Sequence, residues 1–159
     1  RYARTLNETQ VYTPQAVING RTHVVGSRKD KILQAISGLE SARRGMVVSI
    51  DVVVDVKSLS LSIAANEAAK DATVYILSMK RNETVRIARG ENSGRTFTYH
   101  NVLHEIRPVG MVKAGGLSME YPLAELKRDG YDCHAIIVQR SDSQGNPSAI
   151  VGAAFLEDL

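Results

Sequence analysis

Apolar residues recur every three or four positions in the first quarter of the chain and every second position from residue 46 onward. Ile32, Leu33, Ile36 and Leu39 form one stripe at helical spacing. Ser27 stands three residues before Asp30, a capping-box-like start, and Ser37 and Gly38 weaken the helix near its end. Upstream, Val11 and Tyr12 start a strand that Pro14 interrupts, because proline cannot donate a ladder hydrogen bond and belongs at an edge or a strand start. Ala16, Val17 and Ile18 continue that strand to Asn19-Gly20, two residues that tolerate positive φ and suit a type I′ hairpin. Residues 21–25 are the return strand. Tyr2 and Leu6, four apart, predict a helix end over residues 1–8.

Residues 41–45 are short and polar, and they mark the change of period. Over residues 46–57 the alternation is strict, with Met46, Val48, Ile50, Val52, Val54 and Val56 on one face. Leu59, Leu61 and Ile63 repeat it with serines between them. Further strands are predicted over residues 73–79, 84–89, 95–103, 134–141 and 148–155. Turns are expected at Asn66, Arg81-Asn82, residues 90–94, Gly115-Gly116 and residues 142–147. Residues 122–127 suit a short helix or an extended arm. The pattern gives an α+β chain: a strand, hairpin and helix over residues 1–42, then an antiparallel β-sandwich over residues 43–159.

At 159 residues with 43% hydrophobic content, the chain can build a core of ordinary size. Twenty Lys and Arg against seventeen Asp and Glu leave a formal charge of +3, spread in ones and twos along the chain. Such spreading disfavours a nucleic-acid partner. The longest apolar run, residues 149–156, is far short of the roughly 20 residues that a membrane helix needs, so no span is expected. One cysteine, Cys133, excludes an internal disulfide. The opening on Arg1, with neither an initiator methionine nor an apolar signal region, predicts a processed product or the tail of a longer polypeptide.

Two motifs carry a resemblance. Thr13-Pro14 followed by a strand, a tight hairpin and a helix looks like the second half of the thioredoxin fold. Tyr-Thr-Pro-Gln-Ala-Val-Ile-Asn-Gly-Arg with Val-Gly-Ser, and later Arg-Gly-Glu-Asn-Ser-Gly-Arg-Thr, resemble an uncharacterised family of secreted bacterial proteins. In that family a thioredoxin-like domain precedes a β-rich C-terminal domain. The resemblance implies a periplasmic or secreted location, a cis proline facing active-site cysteines, and an upstream strand, helix and strand carrying Cys-x-x-Cys. No Cys-x-x-Cys occurs here. A plain ββα unit with a structural proline is the alternative reading of the same residues.

Energetics bear on what covers this segment. Each stripe residue contributes roughly 1.5–3 kcal/mol when buried. Ordering the backbone costs about 1–2 kcal/mol per residue, so the stripe alone cannot hold residues 11–39. A missing N-terminal segment, the following domain or another chain is expected to cover them.

Other constellations lead to no chemistry. Residues 90–96 have three residues between glycines where a phosphate loop needs four, and Arg95 where it needs Lys, so they suit a hairpin connection. The other reading of that loop makes Arg89, Glu91 and Asn92 a recognition site. His100 and His104, like Asp51 and Asp55, would lie about 13 Å apart on a strand, too far to share a metal. Cys133 and His134 are adjacent and fall on opposite strand faces, which prevents a thiolate-imidazole pair. No cofactor, metal or catalytic residue is assigned, and enzymatic activity is left open. The expected site is Thr13 and Pro14, an edge for extended polypeptide, with Arg89, Glu91 and Asn92 second. Two functions remain: part of a thioredoxin-like protein engaged in thiol-disulfide exchange or thiol-protein binding, or a non-catalytic β-sandwich that binds a peptide or protein.

Overall fold

The computed structural model describes residues 2–8 and 12–156. A short helix α1 (Tyr2–Thr5) precedes the hairpin β1 (Gln15–Ile18) and β2 (Thr22–Val25), and helix α2 (Lys29–Ser41) follows. Asn19 and Gly20 both adopt left-handed φ, +50° and +63°, as the hairpin expectation required. The predicted strand start at Val11 lies outside the described residues. Tyr12 is not in the strand, which begins after Pro14 because Pro14 spends its carbonyl on the Gly26 amide and has no N–H to pair. Ser27 does not cap α2. It lies in a turn closed by the Arg28 amide on the Val25 carbonyl, and Arg28 takes the cap position without a side-chain cap bond.

Two sheets follow, of orders β3-β4-β7 and β6-β5-β8-β9. They comprise β3 (Asp51–Val54), β4 (Ser58–Ile63), β5 (Thr73–Arg86), β6 (Thr96–Met111), β7 (Leu117–Pro122), β8 (Cys133–Ser141) and β9 (Pro147–Leu156). Leu59, Leu61 and Ile63 of β4 pack with Val74 and Ile76 of β5, Ile136 and Val138 of β8, and Val151 of β9 in one buried cluster. Alternation drives this, since every second residue of a strand faces the same side. The helix α3 (Leu123–Lys127) settles the choice for residues 122–127, burying Leu123 and Leu126. Arg107 of β6 and Tyr121 of β7 bridge the two sheets, with Arg107 also paired to Glu105. Those two partners, Tyr121 first, raise the guanidinium further above its already high ordinary value.

Two strand expectations are corrected, and one strand was not expected. Residues 73–79 and 84–89 are not two strands: β5 runs through Arg81-Asn82, where Asn82 pairs with His100 and the Arg81 amide is held by Asp132. Residues 46–57 are not one strand. The Val47 and Val48 amides both turn to the Val151 carbonyl, and Val56, 87% exposed, stands in the turn closed by Asp55 on Ser58. Strand β7 had no sequence expectation, although Leu117, Met119 and Tyr121 alternate along it as Leu59, Leu61 and Ile63 do along β4.

Among the described residues, the first 20 and the sandwich touch through one backbone bond and two side-chain contacts. The Ile150 amide donates to the Asn19 carbonyl at 2.9 Å, and Thr5 Oγ1 donates to the Pro147 carbonyl at 2.8 Å. The Tyr2 hydroxyl meets Gln139 of β8.

Candidate functional site

The head of β1 carries the first candidate site. Thr13 and Pro14 are exposed, and the peptide bond between them is cis. The Pro14 carbonyl accepts from the Gly26 amide at 2.8 Å, which closes the open end of the hairpin. A Cβ at position 26 would stand 3.3 Å from Pro14 Cβ, so glycine lets the end of β2 run close against the proline ring.

A polar chain flanks this end. The Tyr12 hydroxyl lies 2.8 Å from His23 Nδ1, and His23 Nε2 lies 3.1 Å from a Glu8 carboxylate oxygen. A neutral imidazole with its proton on Nε2 satisfies both contacts: Nε2–H donates to Glu8, and Nδ1 accepts from the Tyr12 hydroxyl. The chain ties the segment before Thr13 to β2. Sequence reasoning missed His23, Glu8 and Gly26.

Behind the hairpin lies an open cavity of about 680 Å³, lined by Val17, Ile18, Ile36, Glu40, Met46 and Val47 among others. Thr13 and Pro14 do not line it. The apolar stripe of α2 is only partly covered: Leu33 is 53% exposed and Ile36 37%, while Ile32 and Leu39 are half-buried. A second cavity of about 420 Å³ sits on the outer face of the larger sheet, with Tyr75, Leu77, Leu103, Ile106 and Ile137 in its wall and Tyr2 and Gln139 at its polar end.

Arg89, Glu91 and Asn92 lie in the connection between β5 and β6, on a different element from Thr13 and Pro14. Asn92 Oδ1 accepts from Arg95 Nη1 at 3.2 Å, and the Ile87 and Gly94 amides close the connection on Arg95 and Ile87 carbonyls. Arg89 and Glu91 are exposed.

Neither Cys133 nor His134 is set up for thiol or imidazole chemistry. Cys133 is buried, burial pushes its thiol above the ordinary value, and its sulfur donates weakly to Asn101 Oδ1 at 3.7 Å. His134 is buried beside it on the opposite face, and burial lowers its pKa. Among the described residues no three His, Cys, Asp or Glu gather as a metal would require, and no helix is long and apolar enough to cross a membrane.

Comparison with known proteins adds a family and one structure. Residues 1–139 match a family model described as "Protein of unknown function (DUF1223)". The crystal structure of an Agrobacterium tumefaciens protein, from a structural genomics consortium, superposes with a TM-score of 0.85 at 26% sequence identity. The match covers 98% of this chain and 66% of the solved one, so the chain spans just under two thirds of that protein's length. No curated protein matches.

Proposed function

The chain belongs to the DUF1223 family of proteins of unknown function, and on that premise we propose that it is the client-presenting part of a thioredoxin-like protein acting in an extracytoplasmic, oxidising compartment. In this reading Thr13 and Pro14 offer exposed backbone at the head of β1 to an extended polypeptide. The dithiol that exchanges with the client's disulfide belongs to a segment outside these 159 residues. What carries the reading is the hairpin unit itself: an exposed Thr-Pro at a strand head, a tight Asn-Gly turn and a helix with a half-uncovered stripe beside an open cavity of about 680 Å³. The same stripe is where a further segment of thioredoxin-like chain would pack, and the solved Agrobacterium relative is longer by about a third of its own length. Cys133 has no part, because its thiol is buried and held protonated.

The test is disulfide exchange by the full-length polypeptide. A dithiol in the added segment is oxidised while a disulfide-linked peptide is reduced, and Thr13→Lys raises KM for the peptide with little change in kcat. Full-length protein that carries Cys-x-x-Cys and shows no exchange would refute the redox reading. A second reading, a non-catalytic sandwich that binds a peptide or protein, is favoured by the cavity of about 420 Å³ on the outer sheet face. Peptide binding that Leu77→Lys abolishes and Thr13→Lys leaves intact would select it.

A further inference from the structure

Strand β5 pairs with β8 only from Thr73 to Met79, whereas its pairing with β6 continues to Arg86. Beyond Met79 the two strands therefore leave the sheet as a two-stranded ribbon. At about 3.3 Å per residue, the stretch from residue 80 to 87 reaches about 25 Å. Nearly every side chain on it is exposed. An isolated two-stranded hairpin is marginal in water, so the face that this ribbon presents calls for a partner.

The two faces differ. Cross-strand partners share a face, and Val85 stands opposite Phe97 and Glu83 opposite Tyr99. Val85 and Phe97 are each 38% exposed and Tyr99 49%. Alternation adds Ile87, and it puts Arg81 at one end of this face and Arg95 at the other. The Glu83 carboxylate is held by His104 Nε2 at 2.7 Å. The opposite face is polar, with Asn82, Thr84, Arg86, Thr96, Thr98 and His100, and its two threonine hydroxyls at 84 and 98 bond each other at 3.0 Å.

Charge identifies the occupant. Residues 80–101 hold five Lys and Arg against two Glu, a surplus of three that equals the formal charge of the whole chain. Among the described residues none of those five cations lies in an ion pair. A second copy laid face to face would set Arg81 and Arg95 against the same two cations, which repels. A nucleic acid would use Phe97 and Tyr99 as stacking platforms, but Val85 and Glu83 occupy the positions opposite them. We propose that the β5–β6 ribbon is a docking arm for an anionic lipid surface. Val85, Phe97 and Tyr99 enter the interface between headgroups and acyl chains, Arg81 and Arg95 meet lipid phosphates, and the threonine face stays in water. Arg89 at the tip adds a third contact to the headgroups.

Flotation of the chain with phosphatidylglycerol-containing vesicles, pure phosphatidylcholine vesicles and a single-stranded oligonucleotide tests the arm. The expected result is capture by the anionic vesicles alone, weakened by high salt. Arg81→Gln with Arg95→Gln lowers the partition coefficient roughly 25-fold, at about fivefold per cation. Phe97→Ser with Tyr99→Ser lowers it at least about tenfold at unchanged charge. An unchanged melting temperature of both variants shows that the sandwich is intact, and Arg89→Gln at the tip repeats the charge test at another position if it is not. Equal capture by phosphatidylcholine, no capture by either vesicle, or tighter binding to the oligonucleotide would each overturn the proposal. The arm stands independently of the Thr13-Pro14 reading, so either can fail alone.

Discussion

Gly20 is where the hairpin unit is fastened to the sandwich, and Gly20→Ala isolates that fastening. Gly20 has φ +63°, and a Cβ there would stand 2.1 Å from the Ser148 carbonyl oxygen, a backbone atom of β9. Two costs follow. An alanine in the left-handed region loses about 1–2 kcal/mol. Relief of the clash must pull the turn away from β9, which breaks the hydrogen bond from the Ile150 amide to the Asn19 carbonyl and costs about 0.5–1.5 kcal/mol more. Together the loss is about 1.5–3.5 kcal/mol, or between roughly tenfold and a few hundredfold in the docking equilibrium.

Hydrogen exchange at the Ile150 amide reads this directly, since that proton is shielded only while the turn is docked. Gly130→Ala is the control: its φ is +69°, close to that of Gly20, but nothing lies within 4 Å of the added Cβ. It carries the conformational cost and not the clash. Exchange at Ile150 is expected to speed up by the stated factor in Gly20→Ala and to stay unchanged in Gly130→Ala. Protection of Ile136 and Val138, deep in the sandwich, stays in both. Equal Ile150 exchange in wild type and Gly20→Ala would refute the argument that this turn fastens the two parts.

Ile136→Ala should cost about 2–5 kcal/mol, because Ile136 has no exposed surface and sits between the two sheets; thermal melting is expected to show a drop of roughly 4–20 °C. Cys133 should react with a thiol reagent only as fast as the protein unfolds, since burial both shields the sulfur and raises its pKa; rapid labelling without denaturant would contradict that burial. Asp142 has its pKa lowered first by the Asn146 side chain and then by the Asn146 amide, so its carboxylate stabilises the β8–β9 turn at neutral pH. A depressed folded-state pKa gives stability that is present above the unfolded value and lost as pH falls through the folded one. The stability gap between wild type and Asp142→Ala should therefore shrink below about pH 4, as denaturant titrations at stepped pH will show.

Local patterns were legible where local chemistry decides the outcome. Asn19-Gly20 names its own turn because few residues accept positive φ twice in succession, and Leu59, Leu61 and Ile63 name their own strand by alternation. Ser27 misled because a hydroxyl three residues before a carboxylate fits a capping box, while in the structure it sits inside a turn that the Arg28 amide closes on the Val25 carbonyl. Arg81-Asn82 misled for a related reason: Asn82 suits turns, but here its partner is His100, far along the chain, and Asp132 fixes Arg81 from the connection before β8. The projecting ribbon could not be read from residues 80–101 alone, since it exists only because β8 stops pairing at Met79. The chain of Glu8, His23 and Tyr12 is likewise a product of hairpin register, and nothing in the spacing of those residues announces it.

The hairpin has two ends with opposite roles. Its turn, at Asn19 and Gly20, is held to β9 by backbone contacts that tolerate no side chain at position 20. Its open end carries Pro14 and Gly26, joined to each other by one 2.8 Å hydrogen bond and braced by the Tyr12, His23 and Glu8 contacts, with Thr13 and Pro14 facing solvent. A two-stranded ribbon fixed at its turn presents the far end at an angle set by the docking site. Under the proposed function, the orientation of the Thr13-Pro14 edge then depends on Ser148 and Ile150 of the sandwich, although neither touches the edge. The β-rich remainder would thus act as the mount that aims the edge at its client, which gives the sandwich a part in recognition without any reactive side chain of its own.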